Sequence, residues 1–247
     1  MRRGRRRSRG WIYALGILAA LGLVGAAWYR TPPAAPADRL VTPAPAVPGT
    51  PITLAVFGTS LTARSKWPEA VAEGLGRCLD RPVRLVRVAE PGALSSWGVG
   101  RVADVVAASP DLVLLEFAIN DADLRDGLSL AESEANHRAM IAALQAALPE
   151  ARVVLLTMNP AQGARGLMRP FLPRYYAAYG PIAAETGSGL IDLNARWLSL
   201  PRDRRGLADD GLHPDEAAVQ AVVVPAVIDQ LGLMSGRDCA AAGAPAP

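Results

Sequence analysis

From residue 52 onward, short apolar runs alternate with longer segments in which apolar residues recur every three or four positions. The first pattern predicts buried strands and the second predicts amphipathic helices. The predicted strands are Ile52–Phe57, Val83–Val88, Leu112–Phe117, Val153–Met158 and Leu190–Leu193. The predicted helices are Trp67–Leu79, Trp97–Ala108, Leu130–Leu148, Pro173–Glu185 and Asp215–Leu231. Near-continuous apolar strands alternating with helices are typical of a parallel sheet covered on both faces, so we expect an α/β domain.

The N-terminal part of the chain has a different pattern. Residues 11–29 carry no charge, and as a helix they would extend roughly 28 Å, enough to cross a bilayer core. Trp11 and Tyr13 stand at one end and Trp28 and Tyr29 at the other, where interfacial aromatics belong. Six arginines within the first nine residues favour a cytoplasmic N-terminus. These features predict a single-pass transmembrane signal anchor in the inner membrane.

A secretory signal peptide cleaved near Ala37 is the alternative interpretation of the same region, and it would release the protein. After the apolar segment the chain is rich in proline and alanine, which is typical of an extended spacer. The domain that follows is then expected outside the cytoplasm, in the periplasm. The predicted segments are a basic segment at 1–10, the anchor at 11–29, a linker at 30–50, the folded domain at 51–235 and a flexible tail at 236–247.

Composition narrows the range of functions. The chain has 247 residues, of which 51% are hydrophobic, and this suits one substantial core. The net charge of +3 comes from the terminal arginines, so nucleic-acid binding has little support. The two histidines, His137 and His213, and the two cysteines form no cluster with metal-ligand spacing, and no glycine-rich phosphate loop is present. We therefore expect no metal and no cofactor.

Polar motifs follow the predicted strands. Ser60 comes directly after the first strand, Gly92 after the second and Asn120 after the third, while Asp210 and His213 precede the last helix. The carboxyl ends of parallel strands share one edge of a sheet, so these residues are expected together. Taken singly, each could be an ordinary turn, cap or loop residue. Together they offer a serine nucleophile, a histidine base and an aspartate that orients it.

Four blocks in this order resemble the SGNH hydrolase superfamily, also called GDSL-type esterases and lipases, over about residues 52–231. They are Phe57-Gly58-Thr59-Ser60-Leu61, Glu90-Pro91-Gly92, Ala118-Ile119-Asn120-Asp121 and Asp210-Gly211-Leu212-His213. The resemblance implies a flavodoxin-like three-layer α/β/α sandwich with a five-stranded parallel sheet. Two residues depart from the family pattern. Thr59 stands where the family usually has aspartate, and Ala118 stands where it has glycine.

The resemblance also implies the roles of the site residues. Ser60 would attack an ester carbonyl, His213 would accept and return its proton, and Asp210 would orient the imidazole. Asp209 is a less favoured substitute for Asp210. The backbone N–H groups of Ser60 and Gly92 and the side-chain amide of Asn120 would form the oxyanion hole. His137, in a predicted helix, is interpreted as a solvent-facing or partly packed residue without a catalytic role.

The expected substrate is a small ester, such as an acetyl group on a cell-envelope polysaccharide, because the chain contains no long apolar insertion that could form a lid. Aromatic residues near the predicted site could contact a sugar or belong to the core; they are Trp97, Phe171, Tyr175 and Tyr176. Two alternatives stay open. One is an O-acyltransferase in which a sugar hydroxyl replaces water, and the other is a catalytically silent module that binds envelope glycans.

The two cysteines, Cys78 and Cys239, are expected to form a disulfide. Cys78 lies near the end of the first long helix, and Cys239 follows the last helix. Both helices start near the predicted site and run away from it, so both cysteines should emerge at the opposite edge of the sheet. An oxidising compartment would favour the bond. The alternative is a buried apolar Cys78 and a free thiol in the tail.

Overall fold

Five parallel strands form one sheet in the computed structural model, which describes residues 35–41, 49–125, 128–207 and 209–240. The strands are β1 (Ile52–Gly58), β2 (Val83–Ala89), β3 (Leu112–Glu116), β4 (Arg152–Thr157) and β5 (Gly189–Asp192). Their order across the sheet is β2-β1-β3-β4-β5, which is the flavodoxin-like order. All five predicted strands are confirmed to within one residue at each end. The predicted anchor at 11–29 lies outside the described residues.

Ten α-helices lie within the described part of the chain. They are α1 (Ser60–Ala63), α2 (Trp67–Leu79), α3 (Ser95–Val99), α4 (Val102–Ala107), α5 (Ala118–Asp121), α6 (Leu130–Ala147), α7 (Gly163–Leu167), α8 (Leu172–Thr186), α9 (Leu193–Ser199) and α10 (Glu216–Met234). Helices α2 and α10 pack together, and α3, α6 and α8 form a separate group. The sheet lies between the two groups, so the predicted three-layer sandwich is confirmed.

The predicted helix at Trp97–Ala108 is wrong in one respect, because the segment forms two short helices. Helix α3 ends at Val99, and Arg101 has a non-helical backbone before α4 begins. Glycines at 98 and 100 lower the helix propensity of this segment. Gly98 also allows close packing on α6, since a Cβ there would lie 2.6 Å from the Met140 sulfur. The predicted helix is thus interrupted next to Gly100, while Gly98 packs inside α3.

Strands β1 and β3 form the centre of the core, and every residue in both is buried. Helix α10 covers this sheet on one face. It is long and apolar enough to cross a membrane, but 56% of its apolar window is buried inside the domain. Its side-chain cap, Asp215, accepts a hydrogen bond from the Ala218 N–H at 2.7 Å. Helix α10 is thus a core helix of the sandwich.

Residues 35–41, which the sequence assigns to a spacer, pack along the edge strand β5. We call this segment the N-terminal strap. Arg39 and Leu190 exchange two backbone hydrogen bonds in an antiparallel bridge, at 2.8 and 3.0 Å. Asp38 forms an ion pair with Arg196 at 2.6 Å and accepts a hydrogen bond from the Asp192 N–H. The compact unit therefore includes residue 35 and not only the predicted 51–235, and the strap covers part of an exposed sheet edge.

The C-terminal boundary also extends beyond the prediction. Cys78 and Cys239 are bonded, with their Cα atoms 5.7 Å apart, so the predicted disulfide is confirmed. The Cys239 side chain is buried against Gly232, where a Cβ would collide with it. Cys239 is therefore packed against α10, although it lies in the segment that the sequence assigns to a flexible tail.

We expect removal of this disulfide to lower the free energy of unfolding while preserving the site. The bond joins residues 161 positions apart, and on the chain-entropy model a loop of this length is worth about 5 kcal/mol. The double variant Cys78→Ala, Cys239→Ala should unfold at markedly lower denaturant concentration. Thiol titration of the denatured, unreduced wild-type protein is the control. Two free thiols in that control would contradict the bond.

Candidate active site

The turn after β1 carries Ser60. Strand β1 ends at Gly58, Thr59 caps α1 by accepting a hydrogen bond from the Leu61 N–H at 3.2 Å, and Ser60 is the first residue of the helix. A Cβ at position 58 would collide with the carboxyl group of Glu116, so only glycine fits. The result is a tight turn from strand to helix that fixes Ser60 at the carboxyl edge of the sheet.

Ser60, His213 and Asp210 form a continuous chain of hydrogen bonds. The Ser60 Oγ lies 2.8 Å from His213 Nε2, and His213 Nδ1 lies 2.6 Å from an Asp210 carboxylate oxygen. A carboxylate accepts only, so we assign the proton to Nδ1, which leaves Nε2 to accept from the serine hydroxyl. Asp209 lines the same cavity, but within the described residues it makes no hydrogen bond to His213. The structure thus brings together the three residues that the sequence singled out.

The loop that carries His213 is held rigidly. The second carboxylate oxygen of Asp210 accepts from the backbone N–H groups of Leu212 and His213, both at 2.8 Å. Partial burial raises the pKa of Asp210, but these hydrogen bonds and the one from His213 outweigh it and lower the pKa to about 2. Asp210 is therefore ionised near neutral pH and can stabilise a protonated imidazole.

Two further contacts join this loop to the end of β4. The Asn159 side chain donates to the Leu212 carbonyl at 2.8 Å, and the Gln162 N–H donates to the Gly211 carbonyl at 2.7 Å. Gly211 has a φ of +76°, and a Cβ there would collide with the backbone of Gln162. A glycine is thus required one residue after Asp210.

Gly92 and Asn120 lie near Ser60, in a cavity that Asp210 does not line. Both residues line the cavity that also contains Ser60 and His213. The buried Asn120 side chain donates one hydrogen to the Ala93 carbonyl at 3.0 Å, so its second amide hydrogen is available to a ligand. The backbone N–H groups of Ser60 and Gly92 make no hydrogen bond within the described part of the chain. This side of the site thus presents three N–H donors.

A buried polar network supports the segment that carries Asn120. The Tyr179 hydroxyl accepts from the N–H groups of Phe117 and Ala118 and donates to His137 Nε2 at 2.8 Å. His137 Nδ1 lies 2.7 Å from the Ser133 carbonyl, to which it donates. The predicted solvent-facing or partly packed position of His137 is therefore wrong. Burial lowers its pKa, so the ring is neutral and serves a structural role.

Glu116, the last residue of β3, is a buried carboxyl group directly behind the nucleophile turn. It accepts hydrogen bonds from the Thr59 N–H at 2.6 Å, from the Thr59 hydroxyl at 3.0 Å and from the Thr62 hydroxyl at 2.9 Å. Burial raises the pKa of Glu116 to about 7, although these donors lower it. Thr59, one of the departures from the family pattern, thus supplies two of the three donors to Glu116. The sequence signal was weak, a single acidic residue ending an apolar strand.

Two cavities meet at Ser60, Arg64 and His213. The first has a volume of about 370 Å³ and is also lined by Asn159, Trp197 and four acidic residues, which are Asp209, Asp210, Asp215 and Glu216. The second, of about 290 Å³, contains Gly92 and Asn120. The aromatic residues considered from sequence are not among the lining of either cavity. Tyr175 and Tyr176 are buried, Trp97 stacks with Phe57 and Phe117, and Phe171 is half exposed.

Among the described residues, no group of three or more histidine, cysteine, aspartate or glutamate side chains is arranged to hold a metal ion. Sequence reasoning missed several residues around the site besides Glu116. They are Arg64, Asp123, Arg125, Arg165 and Arg169. These residues are spread over a hundred positions and meet only in the folded chain, so no local motif marks them.

A serine, a histidine and an aspartate hydrogen-bonded in series, at the carboxyl edge of a parallel sheet and beside three N–H donors, are the parts of a serine hydrolase. The chain belongs to the GDSL-like lipase/acylhydrolase family, whose sequence pattern matches residues 56–221. The resemblance drawn from the four blocks is thereby confirmed. The protein is a carboxylic ester hydrolase.

Several solved structures share the fold of this chain. Axe2, an acetylxylan esterase from Geobacillus stearothermophilus, has a TM-score of 0.64 at 22% identity, over 74% of this chain and 95% of that one. A lipase/acylhydrolase from Enterococcus faecalis has a TM-score of 0.65 at 21% identity, over 75% and 96%. TesA has a TM-score of 0.59 at 25% identity, over 74% and 99%. A comparison with curated protein sequences finds no match.

We expect Glu116 to make stability fall as pH rises through the range from about 4.5 to about 7. The folded protein holds the Glu116 proton more tightly than the unfolded chain does, because the folded pKa is raised from 4.5 to about 7. This contribution is complete below the unfolded value and is lost as pH rises through the folded value. The free energy of unfolding of the wild type, minus that of Glu116→Gln, should therefore fall by up to about 3 kcal/mol across this range.

Denaturant unfolding at a series of pH values measures this difference. Glu150→Gln is the matched control, because Glu150 is exposed in the turn before β4. The control should follow the wild-type profile. Parallel profiles for the wild type and Glu116→Gln would contradict a titrating carboxyl at this position.

Proposed function

We propose that this protein is a serine esterase that removes small acyl groups through an acyl-enzyme. Ser60 Oγ attacks the ester carbonyl while His213 Nε2 takes its proton. His213 then returns that proton to the leaving alcohol, and a water molecule activated by the same imidazole releases the acid. The observation that carries the proposal is the Ser60–His213–Asp210 hydrogen-bond chain, with contacts of 2.8 and 2.6 Å.

The oxyanion that forms during attack needs donors that are already in place. The backbone N–H groups of Ser60 and Gly92 and the free amide hydrogen of Asn120 are available for this purpose. The hydrogen bond from Asn120 to the Ala93 carbonyl fixes the amide before substrate arrives. Losing one such donor costs about 10²–10³ in rate, so this set supplies a large part of the proposed catalysis.

The first cavity favours a small or polar substrate over a long alkyl chain. This cavity has a volume of about 370 Å³, and Asp209, Asp210, Asp215 and Glu216 line it. Hydrocarbon in this space would shield these polar side chains from water without giving them a hydrogen-bond partner, which is unfavourable. The similarity to an acetylxylan esterase supports an acetyl ester on a carbohydrate. We therefore propose acetylated carbohydrate of the cell envelope as the substrate.

We expect Ser60→Ala and His213→Ala each to lower esterase activity by a factor of about 10³ or more. Asp210→Asn should cost less than either, because it removes an orienting group and not a reacting one. Hydrolysis of p-nitrophenyl esters of increasing chain length measures both the loss and the acyl preference, which should be for acetate.

Asp209→Asn is the matched control, since Asp209 lines the same cavity without contacting His213, and it should change the rate least. A fluorophosphonate probe should label the wild type and not Ser60→Ala. Full activity in Ser60→Ala would overturn the mechanism. Acyl transfer to a sugar that outpaces hydrolysis would make the protein an acyltransferase.

We also propose that the domain lies outside the cytoplasm and that residues 11–29 anchor it in the membrane. The apolar segment, its interfacial aromatics and the six arginines before it support this topology. The Cys78–Cys239 bond supports an oxidising compartment. Retention by an uncleaved anchor is favoured over cleavage because 19 uncharged residues exceed a usual signal core.

An alkaline phosphatase reporter fused after Leu231 should be active, because the arginines keep the N-terminus in the cytoplasm. The full-length protein should fractionate with membranes, and a chain that begins at residue 35 should be soluble and active, since it keeps the N-terminal strap. An inactive reporter would contradict the topology. A soluble product of reduced mass would instead show signal cleavage.

A further inference from the structure

The second cavity has an unusual concentration of arginine beside the nucleophile. Four arginines and one aspartate line it together with Ser60, Asn120 and His213; they are Arg64, Arg125, Arg165, Arg169 and Asp123. Two of the five are deeply buried, since Asp123 is 1% exposed and Arg169 is 5% exposed. An excess of positive charge therefore surrounds the side of the site that presents the N–H donors.

Two of the four arginines, Arg125 and Arg169, form the inner part of this positive charge and are fixed in position. Asp123 is buried, accepts hydrogen bonds from Arg125 and forms an ion pair with Arg169 at 2.8 Å. Arg169 also donates to the Ile119 carbonyl at 2.7 Å, next to Asn120. Hydrogen bonds from Arg125, supported by the charge of Arg169, lower the pKa of Asp123 to about 2. The single negative charge of Asp123 thus faces the two positive charges of Arg125 and Arg169, so one positive charge stays unneutralised.

The outer part consists of Arg64 and Arg165. Arg64 directly follows α1, and its N–H donates to the Ser60 carbonyl at 3.0 Å, so its backbone is fixed next to the nucleophile. Arg165 lies in α7, with its Cβ 3.8 Å from the position that a Gly211 Cβ would occupy, and thus beside the His213 loop. Neither guanidinium has a hydrogen bond or ion pair with any residue that the structure describes.

The acidic residues of the site lie elsewhere. Asp209, Asp215 and Glu216 line the first cavity and not the second. Glu216 is engaged by the Ser65 hydroxyl at 3.3 Å and by the Gln220 side chain at 2.7 Å. Apart from the paired Asp123, no carboxylate lines the second cavity beside Arg165. Arg64 lines both cavities, but its guanidinium forms no ion pair with a described carboxylate of the first.

We propose that Arg64 and Arg165 form an anion-binding subsite, so that the preferred substrate is an ester of a molecule that also carries a carboxylate or phosphate group. The proposal rests on the esterase function proposed above and narrows it from acetylated carbohydrate to acidic acetylated carbohydrate. Guanidinium groups bind either anion through paired hydrogen bonds. The ester cleavage itself is unchanged, since the anion takes no part in the proton transfers.

Acetate release from three matched substrates tests the proposal with the full-length protein. The substrates are an O-acetyl methyl glucuronoside, its neutral methyl ester and an O-acetyl methyl glucoside 6-phosphate. The wild type should cleave at least one anionic substrate with a kcat/KM about three- to tenfold above that of the neutral ester. The anion that gives the larger ratio identifies the natural group. Raising sodium chloride from about 0.05 to about 0.5 M should reduce that ratio, because salt screens the attraction.

The double variant Arg64→Gln, Arg165→Gln should bring the anionic-to-neutral ratio close to one. Arg237→Gln is the matched control, because Arg237 is an exposed arginine beyond α10, far from the site, and it should leave the ratio unchanged. Equal wild-type rates on the anionic and neutral esters would overturn the subsite while leaving the esterase intact. A wild type that cleaves none of the three substrates and no p-nitrophenyl ester would overturn the proposed function itself.

Discussion

The position of the nucleophile depends on one buried carboxyl group. Glu116 ends β3 and accepts three hydrogen bonds from Thr59 and Thr62, so it joins the turn after β1 to the neighbouring strand. Gly58 is needed for that approach, since a side chain there would displace the carboxyl. Ser60 is thus held by a contact between two strand ends in addition to the hydrogen bonds of its own short helix.

The fold could be predicted from sequence because its strongest signals are local. Apolar runs located all five strands, and alternation with helices predicted the parallel sheet. Features set by tertiary packing were not predictable in this way. The segment 97–108 breaks into two helices at Gly100 and Arg101, and a proline-rich composition concealed the pairing of the N-terminal strap with β5.

The candidate site was partly predictable for a related reason. Ser60, Asn120 and His213 follow or precede regular elements, and the geometry of a parallel sheet brings such positions to one edge. The structure places them together with Asp210, and their catalytic roles remain a proposal. No comparable sequence signal marks Glu116 or the arginines of the second cavity. Their relation to the site is set by burial, or by contacts between loops that are distant in the sequence.

The Cys78–Cys239 bond closes a covalent ring that contains Gly92, Asn120 and the His213 loop, while Ser60 lies on the chain just outside it. A protease that cuts any loop between residues 78 and 239 would open this ring without separating the two pieces. The nucleophile would stay linked to its base through Cys78. Nicked molecules would then keep their full mass until they are reduced, and the packed strands could hold the site together. For the location outside the cytoplasm that is proposed above, this is a form of damage tolerance.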